Sequence, residues 1–316
     1  MRVVVTGGAG YIGAHIVRLL LDRGDDVLVV DDLSTGRQDR VPGADLVVLD
    51  LAAPDARPVL TERMVGADAV IHLAARKSVP ESVARPLWYA EQNIGGTVTV
   101  LHAVRAAGVD RVVFSSSAAV YGDVPGEPVT EAAVPRPVNP YGRTKLAGEW
   151  LLADAERAWG LRQVSLRYFN VAGAGSPGLG DPAVLNLVTI VLDRWRSGAD
   201  AVVHGTDYAT PDGSAVRDYV HVVDLAAAHL AALAYLERTD RPHDVLNIGT
   251  GRGTSVLEMV GALRAAWGRG GVLHGPRRAG DPAQVVADPS RAQAVLGWRA
   301  RYDVAEIARS AAEAAG

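Results

Sequence analysis

Seven residues near the N-terminus constrain this chain more than any others. Gly7-Gly8-Ala9-Gly10-Tyr11-Ile12-Gly13 follows a short apolar run, Arg2 to Thr6. It leads into Ile12 to Asp22, where apolar residues recur at helical spacing until Gly24 stops them. Glycines at i, i+3 and i+6 between a strand and a helix have separate tasks. Gly7 permits the tight turn, Gly10 lets the backbone approach a diphosphate, and Gly13 lets the helix pack closely on the strand. The helix N-terminus then offers N–H groups and a positive dipole end to an anion. A glycine repeat alone more often marks a plain turn, so the rest of the chain must supply the partners.

It supplies them in order. Val27 to Val30 reads as a second strand ending in Asp31-Asp32. A carboxylate at Asp31 can accept both ribose hydroxyls of an adenosine and repels a 2′-phosphate, which favours NAD over NADP. Arg37 stands close enough to allow the opposite choice. A third strand, Leu46 to Leu49, ends in Asp50 with Leu51 beside it; Asp50 is placed either to bond an adenine amino group or to serve as a loop carboxylate. Further strands are expected at Ala69 to Leu73, Arg111 to Phe114 and Gln163 to Tyr168, with one long helical pattern through Trp88 to Ala107. Such alternation predicts an α/β fold, a Rossmann-like doubly wound parallel sheet with helices on both faces, over residues 1–169. Beyond Asn170 the alternation breaks. Gly173 to Pro182 is rich in glycine and proline, followed by a helix over Leu185 to Arg196 and a polar loop over Thr206 to Ser214. A strand at Val245 to Ile248, a helix at Ser255 to Trp267 and an alanine-rich tail from Ala305, read as a truncated helix, complete the pattern. Residues 170–316 are therefore expected to form a smaller C-terminal α/β substrate domain, with segments about 214–250 returning to the main sheet.

Tyr141-Gly142-Arg143-Thr144-Lys145 carries the chemistry. A tyrosine and a lysine four apart on a helix lie on the same side. An ammonium beside a phenol favours the phenolate, so the tyrosine pKa should fall from about 10 toward neutrality and equip it as a general base. Upstream lies the hydroxyl run Ser115-Ser116-Ser117. Composition narrows the classes further. The 316 residues carry a net charge of −4 with no basic block, which argues against nucleic acid. No cysteine is present, which suits a reducing compartment and excludes disulfides and thiolate zinc sites. No leader-like or membrane-length apolar run is visible, so a cytoplasmic protein is expected. His15, His72, His204 and His221 lack metal-ligand spacing, and no metal is expected. Glu127 and Glu131 flank a proline-rich loop and read as solvated.

With these residues in place the chain resembles the extended short-chain dehydrogenase/reductases, and within them the UDP-glucose (UDP-galactose) 4-epimerase family. The likeness runs nearly end to end. It includes Gly7 to Gly13, Lys77-Ser78-Val79-Pro80-Glu81-Ser82, Phe114 to Gly122, Asn139-Pro140-Tyr141 and Leu166 to Asn170. The loop Asp207 to Gly213 leading into Arg217-Asp218-Tyr219 is the most discriminating part, and Asn247 to Gly251 and Arg277-Arg278-Ala279-Gly280-Asp281 follow. The resemblance implies an NAD-dependent inversion of C4 of a UDP-hexose through a 4-keto sugar. It implies that Ser117 bonds the sugar O4, that Tyr141 is the acid/base, and that Lys145 binds the nicotinamide ribose. Lys77 and Asn93 would line the cofactor channel, with Tyr168 and Phe169 beside the nicotinamide and Tyr11, Ile12 and Leu51 among the cofactor contacts. Asn170, Asn186, Arg217, Arg278 and Asp281 would grip the UDP. A homodimer paired through a four-helix interface is implied too.

Departures from related families sharpen this. Nucleotide-sugar 4,6-dehydratases carry an acid pair where this chain has Ala118 and Ala119, which have no proton to move, so dehydration is disfavoured. Val285 stands where some relatives place a bulky residue against the hexose, which would leave room for a 2-N-acetyl group. The rival reading is a nucleotide-sugar oxidoreductase with net redox turnover, which would exchange its cofactor each cycle.

Overall fold

The computed structural model describes residues 1–124, 128–238, 243–278 and 281–316. Glu127, Ala279 and Gly280, singled out above, lie outside the described residues. The main layer is a seven-stranded parallel sheet in the order β10-β6-β5-β4-β1-β2-β3. Its strands are β1 (Arg2–Thr6), β2 (Asp26–Asp31), β3 (Asp45–Val48), β4 (Ala69–His72), β5 (Arg111–Ser115), β6 (Arg162–Tyr168) and β10 (His243–Ile248). The valine-rich strands suit a sheet buried on both faces. Alternate residues divide between two cores. Val3 and Val5 of β1 face α1 (Tyr11–Asp22) and α8 (Val222–Arg238), meeting Ile16, Leu20, Leu225 and Ala232. Val4 faces the other side, against Leu60 of α2 (Ala56–Met64), Val104 of α5 (Gly96–Ala107) and Leu152 of α6 (Pro140–Trp159).

The segment expected as one helix through Trp88 is broken. After α3 (Val79–Ala84), α4 covers only Pro86–Tyr89, and a π-helical turn, Ala90–Gly95, joins it to α5. Such widened turns gather at functional sites. Helix α8 escapes a pattern reading for a different reason. Val222–Arg238 is apolar nearly all round, so it has no polar stripe to set a period.

Beyond β6 a second sheet is organised on β9 (Val216–His221), which pairs with β7 (Asn170–Ala172), β11 (Gly253–Ser255) and β13 (Gln284–Val285). The short strands β8 (Ala201–His204) and β12 (Val272–Gly275) pair with each other. Helices α7 (Leu187–Arg196), α9 (Val256–Trp267) and α11 (Val304–Ala315) close a core around Trp195, Met259, Leu263 and Ile307. The tail forms α11, held at its start by a capping box between Asp303 and Glu306. The short α10 (Ser290–Leu296) packs back on α8. Because β10 and α8 lie on the main sheet, the chain crosses between the two layers more than once, and the cleft between them is walled by both.

Candidate active site

The C-terminal ends of the parallel strands open into a cleft of about 580 Å³. This is where an open α/β sheet presents ligands to the helix N-termini and loops. At its floor the glycine loop is held by contacts no side chain could share. Gly7 has φ +72°, and a Cβ there would stand 2.7 Å from the Ala74 nitrogen. A Cβ on Gly13 would come within 2.2 Å of the Gly7 carbonyl oxygen, whereas one on Gly10 meets nothing nearer than 3.3 Å. Gly7 and Gly13 therefore fix the packing, and Gly10 leaves the backbone open to the cleft. Asp31 ends β2 beside this loop, accepting from the Ala9 N–H at 3.0 Å and the Leu33 N–H at 2.9 Å. Burial raises its pKa, and those two N–H donors oppose the rise. Asp50 and Leu51 line the same end, with Asp50 accepting from the Ala52 N–H at 2.9 Å. A cradle shaped by absent Cβ atoms, with a carboxylate at its rim, fits a dinucleotide.

The hydroxyl cluster lies further along the cleft. Helix α6 begins where Asn139 caps it, accepting from the Gly142 N–H at 2.8 Å, with Pro140 at its first position. Gly142 lets that first turn sit directly on the Ser117 loop, since a Cβ would lie 2.4 Å from the Ala119 carbonyl oxygen. Tyr141 and Ser117 thereby line the cleft together, with Ser117 near enough to favour the phenolate. Lys145 lies on the same side of α6, but its ammonium donates to the Ser115 carbonyl at 2.8 Å. Burial pushes the Tyr141 phenol up from its ordinary value, with Ser117 opposing. The expected lowering by Lys145 is absent, because burial dominates both groups and the ammonium is spent on a carbonyl. Lys145 itself is pushed down to about 8 by burial, against the pull of Glu149. Glu149 is buried in an ion pair with Arg167, and it also accepts from the Ser116 hydroxyl. Tyr168, half-buried, is raised by burial and then by the nearby Tyr141.

The remaining candidates separate. Lys77, Asn93, Tyr168, Phe169, Asn170, Asn186 and Asp281 all line the cleft with Tyr11 and Ile12. Asn93 is turned inward: its amide donates to the Arg76 carbonyl at 3.0 Å and to Thr144 at 2.9 Å, so it ties walls together. Asn186 caps α7 and donates to Asp181 at 3.1 Å. Arg217, Arg278 and Val285 do not line the cleft. Arg217 turns back onto the Val216 carbonyl, and Arg278 is exposed. Val285 packs on the small apolar cluster that includes Tyr121, Val129 and Phe169. Among the described residues no cluster of side chains could hold a metal ion.

A sequence model described as the NAD dependent epimerase/dehydratase family matches residues 3–249. The chain belongs to that family. It is 44% identical to a UDP-glucose 4-epimerase of Azospirillum brasilense, over 98% of this chain and 90% of that protein. Its structure is similar to a UDP-glucose 4-epimerase from Stenotrophomonas maltophila with bound NAD and formylated UDP-arabinopyranose, at TM-score 0.95 and 41% identity, covering 100% and 98% of the two chains. The UDP-glucose 4-epimerase from Brucella ovis in complex with NAD aligns at TM-score 0.93 and 42% identity, covering 98% and 97%.

Within this epimerase/dehydratase frame, several cleft residues carry no sequence signal strong enough to find them. Asp32 and Ser34 follow the predicted acid, and Arg76 precedes Lys77. Asp181, on the loop before α7, lies 3.5 Å from the Lys77 ammonium. Loop residues have no periodicity to betray them; only Asp32 and Arg76 stood beside residues already singled out.

Proposed function

We propose that the chain is an NAD-dependent 4-epimerase of UDP-glucose and UDP-galactose, working through a transient 4-keto sugar without net redox change. The observation that carries this is that Ser117, Tyr141 and Lys145 line the same cleft as the glycine cradle and Asp31. Bound NAD would supply the hydride acceptor at C4 and return that hydride to the opposite face. Gly7, Gly10, Gly13, Asp31 and Asp50 would hold the dinucleotide, with Lys145 on its nicotinamide ribose. Tyr141 takes the C4 hydroxyl proton as the carbinol is oxidised and gives it back on reduction. Ser117 steadies the O4 through both halves of the cycle. Inversion requires the keto sugar to turn over while its nucleotide stays fixed. Asn170, Asn186 and Asp281 are the cleft residues suited to that hold, and Arg217 and Arg278 could join it by swinging their side chains onto the diphosphate, where a guanidinium pairs two oxygens. Ala118 and Ala119, on the turn after Ser117, offer no proton for dehydration.

In this reading residues 1–169 with the returning α8 and β10 form the cofactor half, and the rest of 170–316 forms the sugar-nucleotide half. A homodimer belongs to the same proposal. Trp150, 62% exposed on α6, supports pairing through α5 and α6, and the molar mass in solution tests it. A cytoplasmic location goes with it, on the cysteine-free composition. Purified protein should contain bound NAD and convert UDP-galactose with none added. Steady NADH release would instead establish the oxidoreductase. Tyr141→Phe should lose orders of magnitude in turnover while still binding UDP; near-normal turnover removes the proton-transfer role.

A further inference from the structure

The sheet order places β1 between β4 and β2, so the loops after β4 and β2 are the two banks of the glycine loop. One side chain spans them. Arg76, from the loop after β4, donates to the Asp32 carboxylate at 2.5 Å and to the Ser34 hydroxyl, both on the loop after β2. With strands about 4.8 Å apart, that reach passes over the β1 loop, where a pyrophosphate would sit.

Both ends of this bridge are built. The Arg76 backbone is held on both sides by the buried Asn93, whose Oδ1 accepts from the Arg76 N–H at 2.7 Å and whose amide donates to the Arg76 carbonyl at 3.0 Å. The neighbouring Gln92 accepts from the guanidinium at 3.0 and 3.1 Å, and the Trp88 ring lies 5.3 Å beneath it. Gln92 and Asn93 both lie in the π-helical turn, and both engage the same arginine. On the far bank Leu33 has φ +57°, the one described non-glycine residue with positive φ. Asp31 and Asp32 hold that turn by accepting from the Leu33 and Ser34 N–H groups, which presents Asp32 and Ser34 to Arg76.

We propose that Arg76 and Asp32 form a latch across the cofactor cleft, whose task is to keep the dinucleotide in place between turnovers. The proposal rests on the NAD reading above. Because C4 inversion returns the hydride it removes, the enzyme gains nothing from releasing its cofactor and loses a cycle whenever it does. The latch also reaches the catalytic helix: Asn93 donates to Thr144, whose hydroxyl donates to the Tyr141 carbonyl at 2.8 Å.

The test is the rate at which purified holoprotein loses NAD on dilution, with apo and holo melting temperatures measured alongside. Arg76→Ala should release NAD roughly tenfold faster or more, as expected for losing charge-assisted hydrogen bonds at the site. Asp32→Asn should fall between it and the unmodified chain, and the melting temperature of the holo form should drop more than that of the apo form. Unchanged release from Arg76→Ala, or equal losses in apo and holo melting temperature with no change in release, overturns the latch. An unmodified chain that neither contains nor takes up NAD overturns the cofactor reading itself, and the latch with it.

Discussion

Glu149 and Arg167 are each only 6% exposed at the side chain and meet through two hydrogen bonds, 2.9 and 2.6 Å. Glu149→Gln leaves the guanidinium buried with no counter-charge, and it turns an amide N–H toward either Arg167 or the Ser116 hydroxyl. Breaking one side of a buried ion pair costs about 3–5 kcal/mol. At about 2 °C per kcal/mol for a chain of this size, the melting temperature should fall by roughly 6–10 °C. A second readout separates charge from packing. Glu149 is the group that holds the Lys145 pKa up against burial, which has already brought it to about 8. Without that carboxylate the ammonium loses its proton at lower pH, so the alkaline limb of the turnover profile should move down. Removing both partners, as Glu149→Leu with Arg167→Met, should recover most of the stability, because no uncompensated charge remains. It should not recover the profile. A melting temperature for Glu149→Gln within a degree of the original, with an unmoved alkaline limb, would refute the account of this pair.

Gly13→Ala drives a methyl to within 2.2 Å of the Gly7 carbonyl, where only backbone can yield. It should cost about 1–3 kcal/mol by denaturant titration and reduce NAD retention more than Gly10→Ala does. His72 and His229 are buried and held neutral, their pKa values pushed down by burial from 6.5 to about 3 and about 4. Below pH 6.5 the unfolded chain binds protons that the native chain refuses, so stability falls as pH drops toward 4. The loss is about 1.4 kcal/mol per pH unit for each, and a chain equally stable at pH 7 and pH 4.5 would contradict it.

The parts legible in the sequence are those whose physics is local. The glycine loop could be read because a turn without Cβ atoms between a strand and a helix has few other uses, and the crowding at Gly7 and Gly13 is the reason. The tyrosine and lysine on α6 could be read because helical spacing alone puts them on one side. The strands of the main sheet stood out for their apolar, β-branched runs. What stayed hidden depends on pairings distant in sequence. Helix α8 has no polar face to mark it, since it is sandwiched between the sheet and α1. Val285 sits in β13 beside β9, a pairing no local pattern encodes, and it packs on the apolar cluster that includes Tyr121 and Phe169.

The same distinction explains why the position of Lys145 was predictable and its effect was not. Spacing along a helix fixes which way the ammonium points, but its partner is the Ser115 carbonyl at the end of β5, and its environment is fully buried. Burial disfavours the ammonium and the phenolate alike, so neither can charge the other cheaply while the low-dielectric wall is unchanged. In the proposed reaction the free energy to ionise Tyr141 would therefore come from outside the pair. The oxidised nicotinamide ring carries a positive charge, and beside the phenol it would favour the phenolate only in the half of the cycle that needs a base. With that charge absent after reduction, the phenol would have the proton affinity needed to serve as an acid.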